Sequence, residues 1–291
     1  MRVLLTGAGG QVGRELQRRV PPEATLAALS RDQLDISDER TVLERVRELE
    51  PQLIINSAAY TAVDRAESDR DAAFAVNSTG ARNVALAAID SSCRLIHLST
   101  DFVFDGEHDK PYRPDDETHP LSAYGRSKLD GEEAVGSVCQ SLAVIVRTSL
   151  VYSEFGSNFV KTMLSLMKER PKLGVVSDQI ACPTWAGDLA DALWELGSRP
   201  DITGIIHWTD AGAASRFDVA IEIQRVAIEL GLLESKIPIE PISTDAFPTP
   251  AVRPSFSVLD TTETRARLTT PQPDWKDALR RMLEGVARAE A

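Results

Sequence analysis

The first thirteen residues constrain this chain more than any other segment. Residues 3–13 read Val-Leu-Leu-Thr-Gly-Ala-Gly-Gly-Gln-Val-Gly: a short apolar run, then Gly7-x-x-Gly10-x-x-Gly13, then a stretch that reads as helix from about Gln11. An apolar run of this length reads as a buried strand. Glycines at this spacing let backbone approach a pyrophosphate, whose charge sits on the amino end of the following helix. Strand, glycine turn and helix in that order predict an α/β fold that takes a dinucleotide at its first crossover.

The rest of the amino-terminal half extends this pattern. Short Val/Ile/Leu-rich runs at Arg2–Thr6, Thr25–Ser30, Gln52–Asn56, Arg94–Ser99 and Ser141–Thr148 alternate with longer amphipathic stretches, the signature of βα units around a parallel sheet. We therefore expect a Rossmann-type, doubly wound parallel sheet with a smaller, discontinuous substrate domain. Ser37 is the expected N-cap of one crossover helix, with Asp38 and Glu39 in its first turn. Asp101–Ser122 shows no periodicity and is rich in Asp, Pro and His, so it reads as a surface loop over the end of the fourth strand. Residues 1–149 make up the expected dinucleotide-binding domain and 150–291 mainly the substrate-binding domain. Helices are expected near Ser157–Arg170, Ala186–Gly197, Phe217–Gly231 and Asp274–Arg288, and a strand at Gly204–Trp208 returns to the sheet.

Chemistry enters with three side chains. Tyr124 and Lys128 stand four apart at the start of a helical stretch, so they share a face, and Thr100 stands just past a strand. An ammonium beside a phenol favours the phenolate, which would bring a group of pKa ~10 towards working range. A carbonyl reduction by nicotinamide needs such an acid. A solvated Tyr/Lys helix face is the commoner meaning of that pair alone, but the glycine turn upstream reverses the odds.

Composition closes off other classes. A net charge of −12 and a pI near 4.9 argue against nucleic-acid or anionic-membrane partners. Cys93, Cys139 and Cys182 are few, scattered and without a Cys-x-x-Cys pair, as in a reducing cytoplasm. No apolar run approaches a membrane span or a signal-peptide core. His97 reads as a core residue, and no His-x-x-x-His, P-loop or Gly-x-Ser-x-Gly elbow is present.

The chain resembles the extended short-chain dehydrogenase/reductases, and within them the dTDP-4-dehydrorhamnose reductase branch. Beyond the glycine turn, the resemblance rests on Asn-Ser-Ala-Ala-Tyr-Thr-Ala-Val-Asp-Arg-Ala-Glu (56–67), Val-Asn (76–77), Ser-Thr-Asp-Phe-Val-Phe-Asp-Gly (99–106) and Tyr-Gly-Arg-Ser-Lys-Leu-x-Gly-Glu (124–132). It continues through Arg-Thr-Ser-x-Val-Tyr (147–152), Ser-Asp-Gln (177–179), Pro-Thr (183–184) and Pro-Thr-Pro-Ala-x-Arg-Pro-x-x-Ser (248–257), and so spans essentially the whole chain.

The resemblance implies NAD(P)H-dependent reduction of the 4-keto group of dTDP-4-dehydro-β-L-rhamnose, with Thr100, Tyr124 and Lys128 catalytic. It implies cofactor contacts at Gly7, Gly10, Gln11, Val12, Gly13, Ala58, Ala59, Tyr60, Asn77, Tyr124 and Lys128, and we add Ser30, Arg31, Asp35 and Ile36. Ser30-Arg31 stands where NAD-preferring chains carry an acid, so NADPH is expected, with NADH also used in the family. The dTDP-sugar should meet Thr100, Phe102, Leu150 and Arg253, a guanidinium being able to hold a diphosphate bidentately. Leu150 replaces a Trp common in the family, and Trp185 or Trp208 could fill that space. Glu15 matches a glutamate linked to Mg2+ in some members, but an exposed helix carboxylate is the plainer account, so no metal ligand is assigned and Mg2+ is left open. A homodimer is left open. The rivals are another sugar-nucleotide reductase or epimerase, and a non-catalytic NADP-binding regulatory subunit.

Overall fold

Alternation along the strands decides what covers each face of the sheet. The computed structural model describes residues 1–290. The first half runs β1 (Arg2–Thr6), α1 (Gln11–Arg18), β2 (Thr25–Leu29), α2 (Glu39–Leu49), β3 (Leu53–Asn56), α3 (Val63–Ala66), α4 (Arg70–Phe74), α5 (Ala81–Asp90), β4 (Arg94–Thr100), α6 (Ala123–Cys139) and β5 (Ala143–Thr148). A π-helical turn, Ala75–Gly80, joins α4 to α5. The second half runs β6 (Val151–Tyr152), α7 (Phe159–Glu169), β7 (Leu173–Val176), β8 (Ile180–Ala181), β9 (Thr184–Trp185), α8 (Ala186–Gly197), β10 (Gly204–His207), β11 (Ala214–Ser215), α9 (Arg216–Glu229), β12 (Ile239–Ile242), α10 (Thr262–Arg267) and α11 (Trp275–Glu290).

Six strands form one sheet in the order β10-β5-β4-β3-β1-β2, with every pairing parallel. Val3, Leu5, Leu53 and Ile55 point to one face, under Leu16 of α1 and Leu189 and Leu193 of α8. Leu4, Ile54 and Leu95 point to the other, against Val42 of α2, Val84 of α5 and Val135 of α6. Both faces are dry, which is why these strands read as continuous apolar runs. A separate core joins α7, α9 and α11 through Met163, Met167, Ile223, Leu279 and Met282. No helix among the described residues is long and apolar enough to cross a membrane.

The strand order reverses beside β1, which has β2 on one side and β3 on the other. Open α/β sheets bind ligands outside the carboxyl ends of the strands at such a point, and here those ends are Thr6, Asn56, Thr100 and Thr148. Three local expectations change. Asp38, not Ser37, caps α2, accepting from the Thr41 N–H at 3.2 Å, while the Ser37 hydroxyl donates to Asp35 at 2.7 Å. Thr100 is the last residue of β4 rather than the first beyond it. The 101–122 segment is anchored, not a free surface loop: Phe104 and Tyr112 are buried with Leu129 and Leu259, and Tyr112 bridges to Leu259. Its aromatic residues are too few and too irregular to show as a period.

Candidate active site

The chain leaves β1 at Thr6 and turns through Gly7 at φ 72°, a left-handed backbone where a Cβ would stand 2.6 Å from the Ala58 nitrogen. At Gly13 a Cβ would run into the Gly7 carbonyl, so only glycine lets α1 sit this close to the turn. No side chain caps α1 at Gly10, and its first backbone N–H groups are left for a ligand. Two cavities meet there. One, of about 400 Å3, is lined by Gly7, Gly10, Arg31, Asp35, Ile36, Ala58, Ala59 and Tyr60. The other, of about 530 Å3, is lined by Gly10, Gln11, Val12, Gly13, Thr100, Phe102, Tyr124, Lys128 and Leu150. Two compartments joined at an uncapped helix end fit a dinucleotide, and the exposed Arg31 at the outer end suits a 2′-phosphate.

Two expected cofactor contacts are not on these walls. The N–H and hydroxyl of Ser30 both donate to Gln33 Oε1, at 2.9 and 3.0 Å, which shapes the turn carrying Arg31. Asn77 is buried in the π-helical turn. Its Oδ1 accepts from the Tyr60 N–H at 2.8 Å, and its Nδ2 donates to the Tyr60 carbonyl and Ser127 Oγ, at 3.0 and 2.9 Å. Asn77 therefore positions the Tyr60 wall against α6 instead of facing the cavity.

Ser122 caps α6 by accepting from the Gly125 N–H at 3.1 Å, which puts Tyr124 in the first turn and Lys128 one turn further on. Thr100 Oγ1 accepts from the Phe102 N–H at 3.2 Å and donates to Asp101 Oδ1 at 3.1 Å. Phe102 packs edge-on to Tyr124 at 5.7 Å. Lys128 Nζ donates to the Leu98 carbonyl at 2.6 Å. Burial pushes the Tyr124 phenol up to about 12, although the neighbouring Thr100 hydroxyl pulls the other way, and burial pushes Lys128 down to about 8. The expected lowering of the phenol by Lys128 is not what this geometry gives. The ammonium is drawn to Leu98 and desolvation dominates, so at neutral pH Tyr124 keeps its proton and Lys128 is mostly cationic.

On the substrate side, Leu150 holds a left-handed φ of 41° between β5 and β6, a strain of about 1–3 kcal/mol for a non-glycine residue. It walls the catalytic cavity and a small recess beside it, which also holds Phe102 and Arg253. Arg253 leads on to a third cavity of about 340 Å3, with Phe159, Met163, Val175 and Phe247 on its walls. Neither tryptophan lines the recess or the cavity that Leu150 walls, although Leu150 packs against the core that contains Trp185. Trp208 lies in the sheet core, and Trp185 donates its indole N–H to Glu154 at 3.1 Å, between Arg19 and Arg281. Glu15 is fully buried, not exposed. It pairs with Arg19, accepts from Ser153 Oγ at 2.9 Å and lies against Glu154, and burial with that shared contact pushes its carboxyl up to about 7. The segment after β6 folds back over α1, a long-range contact that helical periodicity does not reveal. Among the described residues, no cluster of three or more His, Cys, Asp or Glu side chains is arranged to hold a metal.

Comparison with known proteins agrees with this geometry. The family model described as the RmlD substrate binding domain matches residues 1–288. The chain is 39% identical over 286 residues to the dTDP-4-dehydrorhamnose reductase of Aggregatibacter actinomycetemcomitans, covering 96% of this chain and 97% of the relative. The chain belongs to the RmlD family of extended short-chain dehydrogenase/reductases. A probable dTDP-4,6-dihydroxy-2-methyloxan-3-one 4-ketoreductase of Streptomyces antibioticus is 40% identical over 292 residues, covering 100% of this chain and 97% of the relative. The crystal structure of the Bacillus anthracis dTDP-4-dehydrorhamnose reductase in complex with NADP superposes with a TM-score of 0.92 at 37% identity, over 98% of this chain and 99% of that one.

In this RmlD-family chain the site also uses residues that sequence reasoning missed. Asp101 is buried beneath Thr100, accepting from Ser149 Oγ at 2.7 Å and Ser257 Oγ at 2.5 Å, with its carboxyl pushed up by burial. It ties β4, β5 and the 248–257 segment together under the catalytic cavity. Arg216, the first residue of α9, reaches the walls of the catalytic cavity, the recess and the third cavity alike. The one signal for it in the sequence was a basic residue directly after a helix cap, where the macrodipole disfavours a cation.

Proposed function

We propose that this chain uses NADPH to reduce the 4-keto group of dTDP-4-dehydro-β-L-rhamnose, giving dTDP-L-rhamnose. The observation that carries the reading is the meeting of Thr100, Tyr124 and Lys128 on one cavity wall, between the glycine turn and the recess that leads to Arg253. When bound, NADPH supplies the hydride for sugar C4. The Thr100 hydroxyl, whose proton can swing away from Asp101, donates to the carbonyl oxygen. Tyr124 then gives its proton to that oxygen as negative charge develops there, so the phenol O–H bond breaks and the alcohol O–H bond forms. Lys128 has three donors and spends one on Leu98, leaving others to hold the cofactor ribose and to stabilise the phenolate.

The same reading keeps 1–149 as the dinucleotide-binding part and 150–291 as mainly the substrate-binding part. It places the enzyme in the cytoplasm, a reading supported by three buried free thiols, and carries a homodimer forward as its oligomeric proposal. The test is steady-state NADPH oxidation with and without the keto sugar nucleotide. Tyr124→Phe should lower kcat by about 10²-fold or more with NADPH binding kept. Near-native turnover in that variant would remove Tyr124 as the proton donor. A second reading, favoured by the equal likeness to the Streptomyces antibioticus protein, is that a differently substituted dTDP-4-keto sugar is the better substrate. The ratio of kcat/KM for the two sugars decides between them.

A further inference from the structure

Arg253 was the guanidinium expected to hold the diphosphate, but its hydrogen-bonding capacity is largely spent inside the protein. Nη1 and Nη2 reach Asp64 Oδ1 and Oδ2 at 3.0 and 2.7 Å, a bidentate fork, and Nη1 also donates to Thr249 Oγ1 at 2.5 Å and the Ala251 carbonyl at 3.1 Å. Asp64 is itself held below the usual carboxylate range, chiefly by that hydrogen bond. The pair is close to neutral as seen by an incoming anion.

Arg216 is in the opposite state. Among the described residues it has no hydrogen bond and no ion pair within 4 Å, and its guanidinium carbon lies 5.2 Å from the centre of the Phe159 ring. The acid nearest in sequence cannot serve it: Asp218 accepts from the Ser215 N–H at 2.9 Å and Ser215 Oγ at 2.6 Å, closing the cap of α9. The guanidinium therefore sits in the first turn of a helix, against the macrodipole, with no carboxylate paired to it; Asp101 and Asp64 act on it only from beyond ion-pair distance. Burial and the neighbouring Arg253 pull it down to about 10, which still leaves it cationic at neutral pH. A half-buried, unpaired cation is costly unless something anionic completes it. Its position says what that is: it borders the catalytic cavity on one side and the cavity of Phe159 and Phe247 on the other. In a nucleoside diphosphate sugar, the diphosphate is the segment between the reacting ring and the base.

We infer that Arg216, rather than Arg253, is the principal anchor for the diphosphate of the sugar nucleotide, with the Asp64–Arg253 pair serving to shape the groove. This rests on the proposed dTDP-sugar reading, and the experiment separates the two. Binding of dTDP and of thymidine to the NADP-loaded protein is measured by calorimetry in wild type, Arg216→Gln, Arg216→Lys and Arg253→Gln, alongside KM and kcat for the keto sugar nucleotide. Arg216→Gln should weaken dTDP by roughly 10- to 100-fold, the range for a lost charge-assisted contact, with thymidine unchanged and KM raised more than kcat is lowered. Arg216→Lys should recover part of the loss through its point charge. Arg216 has no hydrogen-bonded partner in the protein to lose, so the variant should fold, and retained NADPH binding checks this. The inference is overturned if Arg216→Gln binds dTDP within about twofold of wild type, if thymidine weakens equally, or if Arg253→Gln loses as much or more. A wild type that binds dTDP through Arg216 but never oxidises NADPH would refute the reductase reading and leave the anchor standing.

Discussion

On the proposed mechanism, Lys128 sets the alkaline limit of activity. Burial lowers its ammonium from the ordinary lysine range to about 8, against the pull of Glu132. The cation is the form that steadies a phenolate and grips a ribose, so activity is present below that pKa and lost as pH rises through it. With a pKa of about 8, roughly nine-tenths of the lysine is charged at pH 7 and roughly one-tenth at pH 9, which predicts an about tenfold fall in kcat/KM for NADPH over that interval. This ratio reports the free enzyme and so the geometry described above. Of the other shifted groups, Tyr124 stands at about 12 and Arg216 at about 10, above the midpoint of the limb, and Glu15, at about 7, does not line the catalytic cavity and would act on the acid side of the profile. The assay is steady-state NADPH oxidation at constant ionic strength from about pH 6.5 to about pH 9.5. Lys128→Arg, which stays charged throughout, should run more slowly but without the limb. A wild-type profile that is flat to the alkaline end, or a limb unchanged in Lys128→Arg, would refute the assignment.

Two further substitutions probe the ends of the cleft. Arg31→Ala should reduce kcat/KM for NADPH by about tenfold, the weight of one charge-assisted phosphate contact, and leave NADH unaffected; equal use of both cofactors, unchanged by the substitution, would sink the claim. Leu150→Trp should lower KM for the dTDP-keto sugar by a few-fold, since an indole platform adds about 1 kcal/mol beyond area burial, while kcat changes less. Neither Trp185 nor Trp208 lines the cavity that the new ring would enter, so a raised KM with a collapsed kcat would mean that the left-handed backbone at Leu150, or its packing on the core of Trp185, does not tolerate the larger ring.

Much of the fold was legible because parallel strands buried on both faces leave apolar runs that end at turns. Arg2–Thr6 and Ala186–Gly197 fall where periodicity puts them, and most other element ends differ by one or two residues. What could not be read depends on contacts across the chain. Tyr112 looked like part of a polar loop because its ring stacks on Phe104, 4.2 Å away, and its backbone bonds to Val258, neither of which leaves a local pattern. Glu15 looked exposed because a short helix with a charged face usually is; Ser153 and Glu154, some 138 residues on, cover it.

The proposed catalytic residues and the charged residues of the groove differ in legibility for a related reason. Tyr124 and Lys128 are placed by helix spacing and Thr100 by the end of one strand, so each position follows from local structure, and packing of α6 on β4 brings the three together. The availability of an arginine is not local. Arg253 is taken by Asp64, 189 residues away, and Arg216 is left over because its nearest acid is closing a helix cap. A motif can mark where a positive charge stands in the chain. Whether that charge remains free for a diphosphate is decided only when the competing carboxylates fold into place, and here they leave it at Arg216.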